Sequence, residues 1–503
     1  MIFFRKKIPI LLAFLLAGLQ ASAAPTKKPN IVLILADDVS ADMFSCYGQK
    51  GTAKTPNIDR IAKEGVQFRT CFAPAICAPS RALFMTGVYA NRSGVFRNDM
   101  WAFDSRGKLF TAQHSWAKLM QQGGYKTAVA GKWHCGAKQP WEKHIGFDEF
   151  CLWEGADKMK SHFGIDIIAN GQRKDIKLPD TRYWYPSTVQ NGKYVRVTEK
   201  GFGPDIRCEF LMDFMERKAK AKQPFVAYWP TVIPHGPYST TPDAGAVMDI
   251  ELMKPDTTGM SREEKTKALT EYSRKQEQRF VNLIQYMDKL IGKLINKAEK
   301  LGIYENTWFV FCSDNGPVGD DGYKDGALEK MGDHRPNGPF SGGKYSVLEG
   351  GTHTPFITYW PGKIAKGTSS EMVCTIDLAA SFAALTGVEL PKDACPDSFD
   401  VMDALLGKEG AKGRRDLVQQ DNGKGGNYGF RAGKWKLQRH DSKRRHNVHV
   451  TTQLQFHPAP RFSLFDLSKD LQEKKNIADQ HPKVLERMKQ RLKKIIASGR
   501  SRP

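Results

Sequence analysis

The chain has 503 residues, of which 40% are hydrophobic and 26% are charged, and its formal net charge is +22. This composition is typical of globular proteins and excludes a disordered, collagen-like or small disulfide-stapled chain. The length predicts about three domains, or one large α/β domain with a smaller one appended. The excess of lysine and arginine predicts a surface that attracts polyanions.

The first residues have the layout of a secretory signal. Basic residues at positions 5–7 precede an apolar run over residues 8–19, and Ala21 and Ala23 suit a cleavage site after Ala23. The apolar run is shorter than the ~20 residues that a membrane span requires. We therefore expect residues 1–23 to be a cleaved signal peptide and the mature protein to be periplasmic or secreted, with no membrane attachment after cleavage.

Four segments share one pattern, a short continuous apolar run that ends abruptly in polar residues. Such runs, without alternation, predict strands buried on both faces of a parallel sheet. In these sheets ligands bind at the carboxyl ends of the strands, so the polar residues that follow the four runs are expected to converge. The runs span residues 30–36, 127–131, 225–229 and 308–312.

Apolar residues between Phe280 and Ala298 recur at spacings of three and four, which predicts a helix that packs against the core. The texture changes near residue 396. Short segments at 429–437 and 463–467 predict small antiparallel strands, and an amphipathic helix with a basic face follows from Val484 to Ile495. We interpret its basic face as a solvated surface rather than as a dedicated polyanion-binding arm.

These patterns predict an α/β fold with two parts after the signal. Residues 24–395 are expected to form a catalytic domain with a large, mostly parallel sheet flanked by helices. Residues 396–503 are expected to form a smaller C-terminal α+β subdomain that contains a short antiparallel sheet.

Oxygen donors follow two of the four apolar runs: Asp37 and Asp38 after the first, Asp314 and Asn315 after the last. Either pair alone is typical of a turn or a helix cap. Together, at the ends of buried strands, they predict a metal site, because clustered carboxylates repel one another unless a cation holds them. Oxygen ligands without histidine or cysteine favour Ca²⁺, with Mg²⁺ as the alternative, over zinc.

The segment from Cys77 to Arg81 reads Cys-Ala-Pro-Ser-Arg and is followed by Thr86-Gly87. A cysteine before proline and arginine is otherwise typical of a loop thiol or a helix start. This pattern resembles the signature of the type I, formylglycine-dependent sulfatases, arylsulfatase-like enzymes of the alkaline phosphatase superfamily. The resemblance covers nearly the whole mature chain and implies the alkaline phosphatase-like fold. Further matching motifs lie at residues 29–31, 313–316, 349–351 and 465–467.

The resemblance implies that a formylglycine-generating maturase oxidises Cys77 to formylglycine, which is then hydrated. One hydroxyl of the hydrate would attack sulfur and the other would then expel sulfate, so that one difficult displacement becomes two easier steps. Arg81 would hold the hydrate, and Lys132 and His134 would flank the nucleophile and the sulfate oxygens.

The resemblance also implies roles for two later residues. His235 would hold or protonate the leaving oxygen. Lys344 would bind sulfate, and the glycines at 342 and 343 would let the backbone approach. The metal would bridge the nucleophile and the sulfate as a Lewis acid. The chain departs from the family at His353, where relatives often carry arginine, and we assign no catalytic role to it.

Three functions follow from these observations. The favoured one is an exported sulfatase that acts on sulfate monoesters, with a sulfated glycan or an aryl sulfate as substrate. The alternative is a formylglycine-dependent phosphonate or phosphate ester hydrolase, although a two-zinc phosphatase site needs histidine ligands and none of the four candidates is histidine. A non-enzymatic polyanion-binding protein would have lost catalytic positions that are all present here. No stacking motif for nucleic acid is seen.

The pocket walls are expected within residues 95–104 and 153–202, where Trp153, Trp184 and Tyr185 either stack on a sugar or pack internally. The nine cysteines form no CxxC pair, which excludes a zinc ribbon, and their odd number leaves at least one outside any disulfide. The sequence leaves open the sugar, the sulfate position, exo or endo action, disulfide pairing and the oligomeric state.

Overall fold

The structure is a computed structural model that describes residues 28–48, 53–98, 115–135, 146–153, 182–197, 201–236, 238–244, 255–317, 337–421, 426–448 and 454–502. The predicted signal peptide lies outside these ranges, as do residues 99–104, 154–181 and 198–200 of the expected pocket walls.

The described strands and helices alternate through the first four fifths of the chain, and strands dominate after that. The strands are β1 (Asn30–Ala36), β2 (Val66–Phe68), β3 (Cys71–Phe72), β4 (Lys126–Lys132), β5 (Glu149–Trp153), β6 (Thr188–Gln190), β7 (Lys193–Val195), β8 (Phe225–Pro230), β9 (Thr307–Ser313), β10 (Phe356–Tyr359), β11 (Gly367–Ser369), β12 (Val373–Cys374), β13 (Asp416–Gln420), β14 (Asn427–Ala432), β15 (Trp435–His440), β16 (Arg444–Val448), β17 (Leu454–Pro458) and β18 (Phe462–Asp466). The α-helices are α1 (Pro56–Glu64), α2 (Cys77–Thr86), α3 (Ala90–Ser93), α4 (Trp116–Gln122), α5 (Gly203–Lys220), α6 (Arg262–Lys300), α7 (Glu349–Thr352), α8 (Leu378–Thr386), α9 (Met402–Leu405) and α10 (Pro482–Ala497). Short 3₁₀ helices span Ala41–Met43, Ser45–Tyr47, Pro242–Ala244, Tyr304–Asn306, Thr375–Asp377 and Ala478–Gln480.

Ten of the described strands form one sheet, in the order β11-β2-β10-β9-β1-β8-β4-β5-β6-β7. The central strands β9, β1, β8, β4 and β5 run parallel to one another. Strands β10 and β6 run antiparallel to the strands beside them. The four strands predicted from apolar runs are consecutive neighbours at the centre of this sheet, so the predicted large, mostly parallel sheet is confirmed.

Both faces of the central sheet are covered, which explains why its strands carry continuous apolar runs. Val32 and Ile34 of β1 face a core that includes residues of α5 and α6. Ile31 and Leu33 face the opposite core, which includes residues of α2, α4 and α8. The polar residues that follow these strands therefore lie at the carboxyl end of a sheet whose central strands are buried on both faces.

Helix α6 is longer than the sequence pattern indicated. It begins at Arg262, where Ser261 and Glu264 form a capping box, and its first half is mostly exposed. The apolar stripe from Phe280 marks only the half that is buried. Exposed helical turns carry no such stripe, so the pattern could not reveal them.

A four-stranded antiparallel sheet, β13-β14-β15-β18, follows in the last part of the chain. Its core includes Phe430 and Leu437 together with Met488 and Leu492 of α10. The segment at 429–437, which the sequence suggested as one short strand, is a hairpin of β14 and β15 that turns at Gly433, where φ is 57°. The small antiparallel sheet is confirmed, whereas the domain boundary at residues 395 and 396 stays a prediction.

None of the helices in the described ranges is long and apolar enough to cross a membrane. All nine cysteines lie in these ranges, and each is a free thiol in the structure.

The first prediction concerns Asp288 of α6, whose buried carboxylate accepts hydrogen bonds from the backbone of Ile58 and the side chain of Asn57, each at 2.8 Å. These bonds tie the start of α1 to α6. Asp288→Ala leaves the donors unsatisfied and is expected to lower the free energy of unfolding by ~1–3 kcal/mol in urea denaturation. Asp243→Ala, which removes an exposed carboxylate paired with Lys289, is the control and should change it by less than ~1 kcal/mol. Equal losses in the two variants would contradict the assignment.

Candidate active site

Four acidic and amide side chains meet where β1 and β9 end side by side. Asp37 and Asp38 follow β1, and Asp314 and Asn315 follow β9. The Asp38 N–H donates to Asp314 Oδ1 at 3.2 Å, and the Asn315 Nδ2 donates to Asp38 Oδ1 at 2.7 Å. All four side chains are buried. The structure thus brings together the four residues that the sequence proposed as metal ligands.

Cys77 is the first residue of α2 and lies within this cluster. Its Sγ is 3.4 Å from Asp37 Oδ1 and 3.6 Å from Asp38 Oδ1, and its side chain is 0% exposed. Burial raises the pKa of the Cys77 thiol well above its ordinary value, and the opposing effect of Lys132 and Lys344 does not overcome it. The unmodified side chain is therefore a neutral thiol, which is a poor nucleophile.

Arg81 lies one turn after Cys77 on the same face of α2. Its Nε and Nη2 are 2.9 and 2.7 Å from Asp314 Oδ2, and its Nη1 donates to the backbone carbonyl of Lys132 at 2.6 Å. This guanidinium therefore fastens the helix that carries Cys77 to the ends of β9 and β4.

Two lysines complete the inner ring of charge. Lys132, the last residue of β4, donates from Nζ to Asp37 Oδ2 at 2.6 Å. Lys344 donates from Nζ to Asp38 Oδ2 at 2.9 Å. Both side chains are buried, so these are close pairs in a medium that screens charge weakly.

The carboxylates differ in how well the cations balance them. Burial tends to raise the pKa of Asp37, but the cations Lys132, Arg81 and Lys344 outweigh it and hold the pKa well below its usual range. For Asp314, burial and the neighbouring Asp37 outweigh Arg81, so its pKa is raised. The sequence predicted that a metal ion alone relieves the repulsion among these carboxylates. The structure shows that three cationic side chains already share that task.

His235 approaches the cluster from the segment after β8. Its Nε2 is 3.3 Å from Lys344 Nζ and 3.4 Å from Asp38 Oδ2. Burial lowers the pKa of His235 well below its ordinary value, and Lys132, Lys344 and Arg182 lower it further, which favours the neutral imidazole. A neutral imidazole can present an N–H to an oxygen on a substrate.

Arg182 is a residue of this site that sequence reasoning missed. Its Nη1 contacts both His235 Nδ1 and the carbonyl oxygen of Gly236, and its guanidinium carbon lies 5.3 Å from the centre of the Trp153 ring. The only sequence signal was its place in the aromatic stretch expected to form a pocket wall.

The structure also describes three other residues that were singled out from the sequence. His134 is half-buried with a φ of 53° just beyond Lys132, and the contacts described above do not include it. His353 contacts the backbone carbonyl of Arg69 at 2.8 Å and packs on Phe340. Trp184 is buried and donates to the carbonyl of Thr240 at 3.0 Å, so it packs internally.

The site has donors that suit a hard cation. Ligating atoms of Asp37, Asp38, Cys77 and His235 lie within 4.8 Å of one another. In addition, the buried Oδ1 of Asn315 has no hydrogen-bond partner among the described residues. An orphaned oxygen beside two carboxylates is a fitting ligand for Ca²⁺ or Mg²⁺. The Asp314 carboxylate already pairs with Arg81. The prediction that Asp314 also binds the metal therefore rests on its position at the same end of the sheet as the other candidate ligands.

A protein-family model described as "Sulfatase" matches residues 29–388. The chain belongs to the sulfatase family. A second model, described as "N-sulphoglucosamine sulphohydrolase, C-terminal", matches residues 343–498 of this sulfatase. The resemblance drawn from the Cys77 motif is therefore confirmed, and with it the alkaline phosphatase-like fold and the assignment as a sulfuric ester hydrolase.

Known proteins share most of the length of this sulfatase. An N-acetylgalactosamine-6-O-sulfatase of Bacteroides thetaiotaomicron is 31% identical, over 93% of this chain and 93% of its own. A solved structure from work on glycosaminoglycan metabolism by Bacteroides thetaiotaomicron is 27% identical, has a TM-score of 0.69, and is matched over 94% of this chain and 100% of its own. A phosphonate monoester hydrolase of Agrobacterium radiobacter, 19% identical over 94% of this chain and 96% of its own with a TM-score of 0.58, shares the fold.

The second prediction separates His353 from the site. His353→Ala removes the contact with Arg69 and the ring packing, and is expected to lower the free energy of unfolding by ~1–2 kcal/mol. Because the described side-chain contacts of His353 are with Arg69, Phe72 and Phe340, the KM for an aryl sulfate should stay within about twofold. His481→Ala, at an exposed histidine, is the control. A KM raised about tenfold by His353→Ala alone would show that this residue shapes the pocket.

Proposed function

We propose that this sulfatase hydrolyses sulfate monoesters of sulfated glycans, with Cys77 converted to formylglycine and with a bound Ca²⁺. The observation that carries the proposal is the position of Cys77. Cys77 is the first residue of α2. Its buried side chain lies within 4 Å of the carboxylates of two successive residues, Asp37 and Asp38. A reactive group at this point is enclosed by fixed charges of both signs.

The groups around position 77 divide the chemistry between them. The hydrate of formylglycine supplies an oxygen nucleophile and a second hydroxyl that drives the release of sulfate. Lys132 and Lys344 bind sulfate oxygens, and His235 holds the leaving oxygen by a hydrogen bond from its Nε2–H. Arg81 keeps α2 in register with the strand ends, and His134 is proposed to complete the wall beside Lys132.

Ca²⁺ is proposed to bind to Asp37, Asp38, Asp314 and Asn315, with Mg²⁺ as the alternative, since these donors are hard oxygens. When bound, the ion polarises the sulfate group as a Lewis acid. The three carboxylates and three cationic side chains balance formally, so a divalent cation leaves the site positive. A positive site attracts anionic esters, of which a sulfate monoester carries one negative charge and a phosphate monoester nearly two.

The substrate class is supported by charge and by relatives. The formal net charge of +22 favours encounter with sulfated polysaccharides in dilute salt. The name of the relative at 31% identity makes a glycan with 6-O-sulfated N-acetylgalactosamine the first substrate to test. We further propose that residues 1–23 direct export to the periplasm or beyond, and that a formylglycine-generating maturase acts on the chain.

The third prediction tests the nucleophile. Cys77→Ala, produced together with a maturase, is expected to lower the release of sulfate by on the order of 10⁴-fold or more, as loss of a catalytic nucleophile does elsewhere. Cys151→Ala, at a buried cysteine of β5, is the matched control and should retain activity. Released sulfate is measured on an aryl sulfate, on N-acetylgalactosamine 6-sulfate and on several sulfated glycans.

The same assay includes matched phosphate and phosphonate esters. Substantial sulfate release by Cys77→Ala would refute the nucleophile assignment. Cleavage of the phosphorus esters alone would replace the proposed function by the phosphonate or phosphate ester hydrolase.

The fourth prediction tests the metal. Asp38→Ala is expected to weaken Ca²⁺ binding by at least ~100-fold, since loss of an outer partner of a ligand alone weakens metal sites by roughly 10- to 100-fold. Metal content is measured by elemental analysis after dialysis against a chelator and readdition of Ca²⁺ or Mg²⁺. Asp148→Ala, at an exposed aspartate, is the control. Unchanged calcium content in Asp38→Ala would rule out this ligand.

A further inference from the structure

The segment that carries Lys344, residues 341–351 (the Lys344 loop), is fastened to the active-site end of the sheet. The Lys344 N–H donates to the carbonyl of Pro317 at 2.9 Å, and the Tyr345 N–H donates to the carbonyl of Ala75 at 2.6 Å. Tyr345 has a φ of 79°, which a tyrosine adopts only where its surroundings impose it. The loop thus holds its lysine in place by backbone contacts on two sides.

The Lys344 loop is also closed on itself. The Gly350 N–H donates to the carbonyl of Ser341 at 2.9 Å. A Cβ at Gly351 would lie 2.3 Å from the carbonyl oxygen of Ser346, so only glycine fits there. The two glycines of the Glu-Gly-Gly motif therefore let the two ends of the loop meet.

The far side of the loop rests on the C-terminal sheet. Lys436 of β15 is 0% exposed, and its Nζ donates to the carbonyl of Val347 and to Glu349 Oε1, each at 2.7 Å. Arg431 of β14 pairs with Glu349 Oε2. A buried lysine is retained only where its partners are well placed, so these contacts fix the base of the loop firmly.

A second carboxylate completes this group. Glu473 Oε2 accepts a hydrogen bond from the Glu349 N–H at 2.7 Å, and Glu473 Oε1 accepts one from Gln438 Nε2 at 2.7 Å. Glu473 Oε1 also lies 3.6 Å from Lys436 Nζ. The group contains two acids, Glu349 and Glu473, and two bases, Arg431 and Lys436, so its formal charge is balanced.

We propose that Lys436 and Glu349 are positioning residues: through the base of the Lys344 loop, the C-terminal sheet sets where the Lys344 ammonium lies and thereby the affinity of the site for sulfate. This inference rests on the proposed function in so far as Lys344 binds the sulfate group. It assigns a task in substrate binding to residues of β15 and α7 that do not themselves touch the reacting atoms.

The test compares Lys436→Met with Lys434→Met. Both remove one charge from the same hairpin, but Lys434 is half exposed and pairs with Asp466 rather than with the Lys344 loop. Each protein is assayed below its melting temperature for kcat, KM and inhibition by inorganic sulfate. We expect Lys436→Met to raise KM and the sulfate inhibition constant about tenfold while kcat changes less than about threefold. Lys434→Met should leave both KM and the sulfate inhibition constant unchanged.

A double variant separates positioning from stability. Glu349→Gln combined with Lys436→Met removes one charge of each sign, so it should regain thermal stability relative to Lys436→Met while KM stays raised. Glu473→Gln is the milder change, since its amide oxygen still accepts from the Glu349 N–H, and it should raise KM by about threefold. The inference would be overturned if the double variant regained both its thermal stability and the wild-type KM.

Hydrogen exchange of the amides of residues 341–351 gives a readout independent of catalysis. Faster exchange in Lys436→Met than in Lys434→Met supports the inference, and equal exchange with an unchanged sulfate inhibition constant overturns it. A wild-type protein that releases no sulfate from any substrate would instead refute the proposed function, and the exchange result would still decide whether Lys436 positions the loop.

Discussion

The site depends on the balance of three buried carboxylates at the end of a dry sheet. An unpaired carboxylate in such surroundings is strongly destabilising, so each must meet a cation that arrives from another part of the chain. The end of one strand, the second turn of a helix and a closed loop supply these cations. The carboxylates are Asp37, Asp38 and Asp314, and their partners are Lys132, Lys344 and Arg81. Charge balance therefore requires that five distant segments come together before the site exists.

The C-terminal sheet takes part in this closure rather than standing apart from it. Its core also contains Phe72 and Leu83, which lie on either side of Cys77 in sequence. Beneath the Lys344 loop it places Lys436 and Arg431 on Glu349. The two family models overlap across this loop, at residues 343–388. Loop and sheet form one packing unit, although sequence texture suggested a division near residue 396.

Much of the central architecture could be predicted because strands that are buried on both faces have continuous apolar sequences. The Cys77 motif identified the family, and the strand ends placed Asp37 and Asp314 together. Contacts between side chains that are far apart in the sequence could not be predicted in this way. Lys436 sits in a short polar strand and reads as a surface lysine, because its partner Glu349 is remote in sequence. Arg182 was missed for the same reason: only the fold places it beside His235.

The burial of Cys77 also restricts when its side chain can be modified. The thiol is enclosed by Asp37 and Asp38, which are themselves locked by Asp314 and Lys344 from much later in the chain. An enzyme cannot reach an atom with no exposed surface. A maturase that oxidises Cys77 must therefore act on the nascent or unfolded polypeptide, before the later strands arrive. If a maturase oxidises Cys77, as proposed above, folding and maturation compete for the same residue.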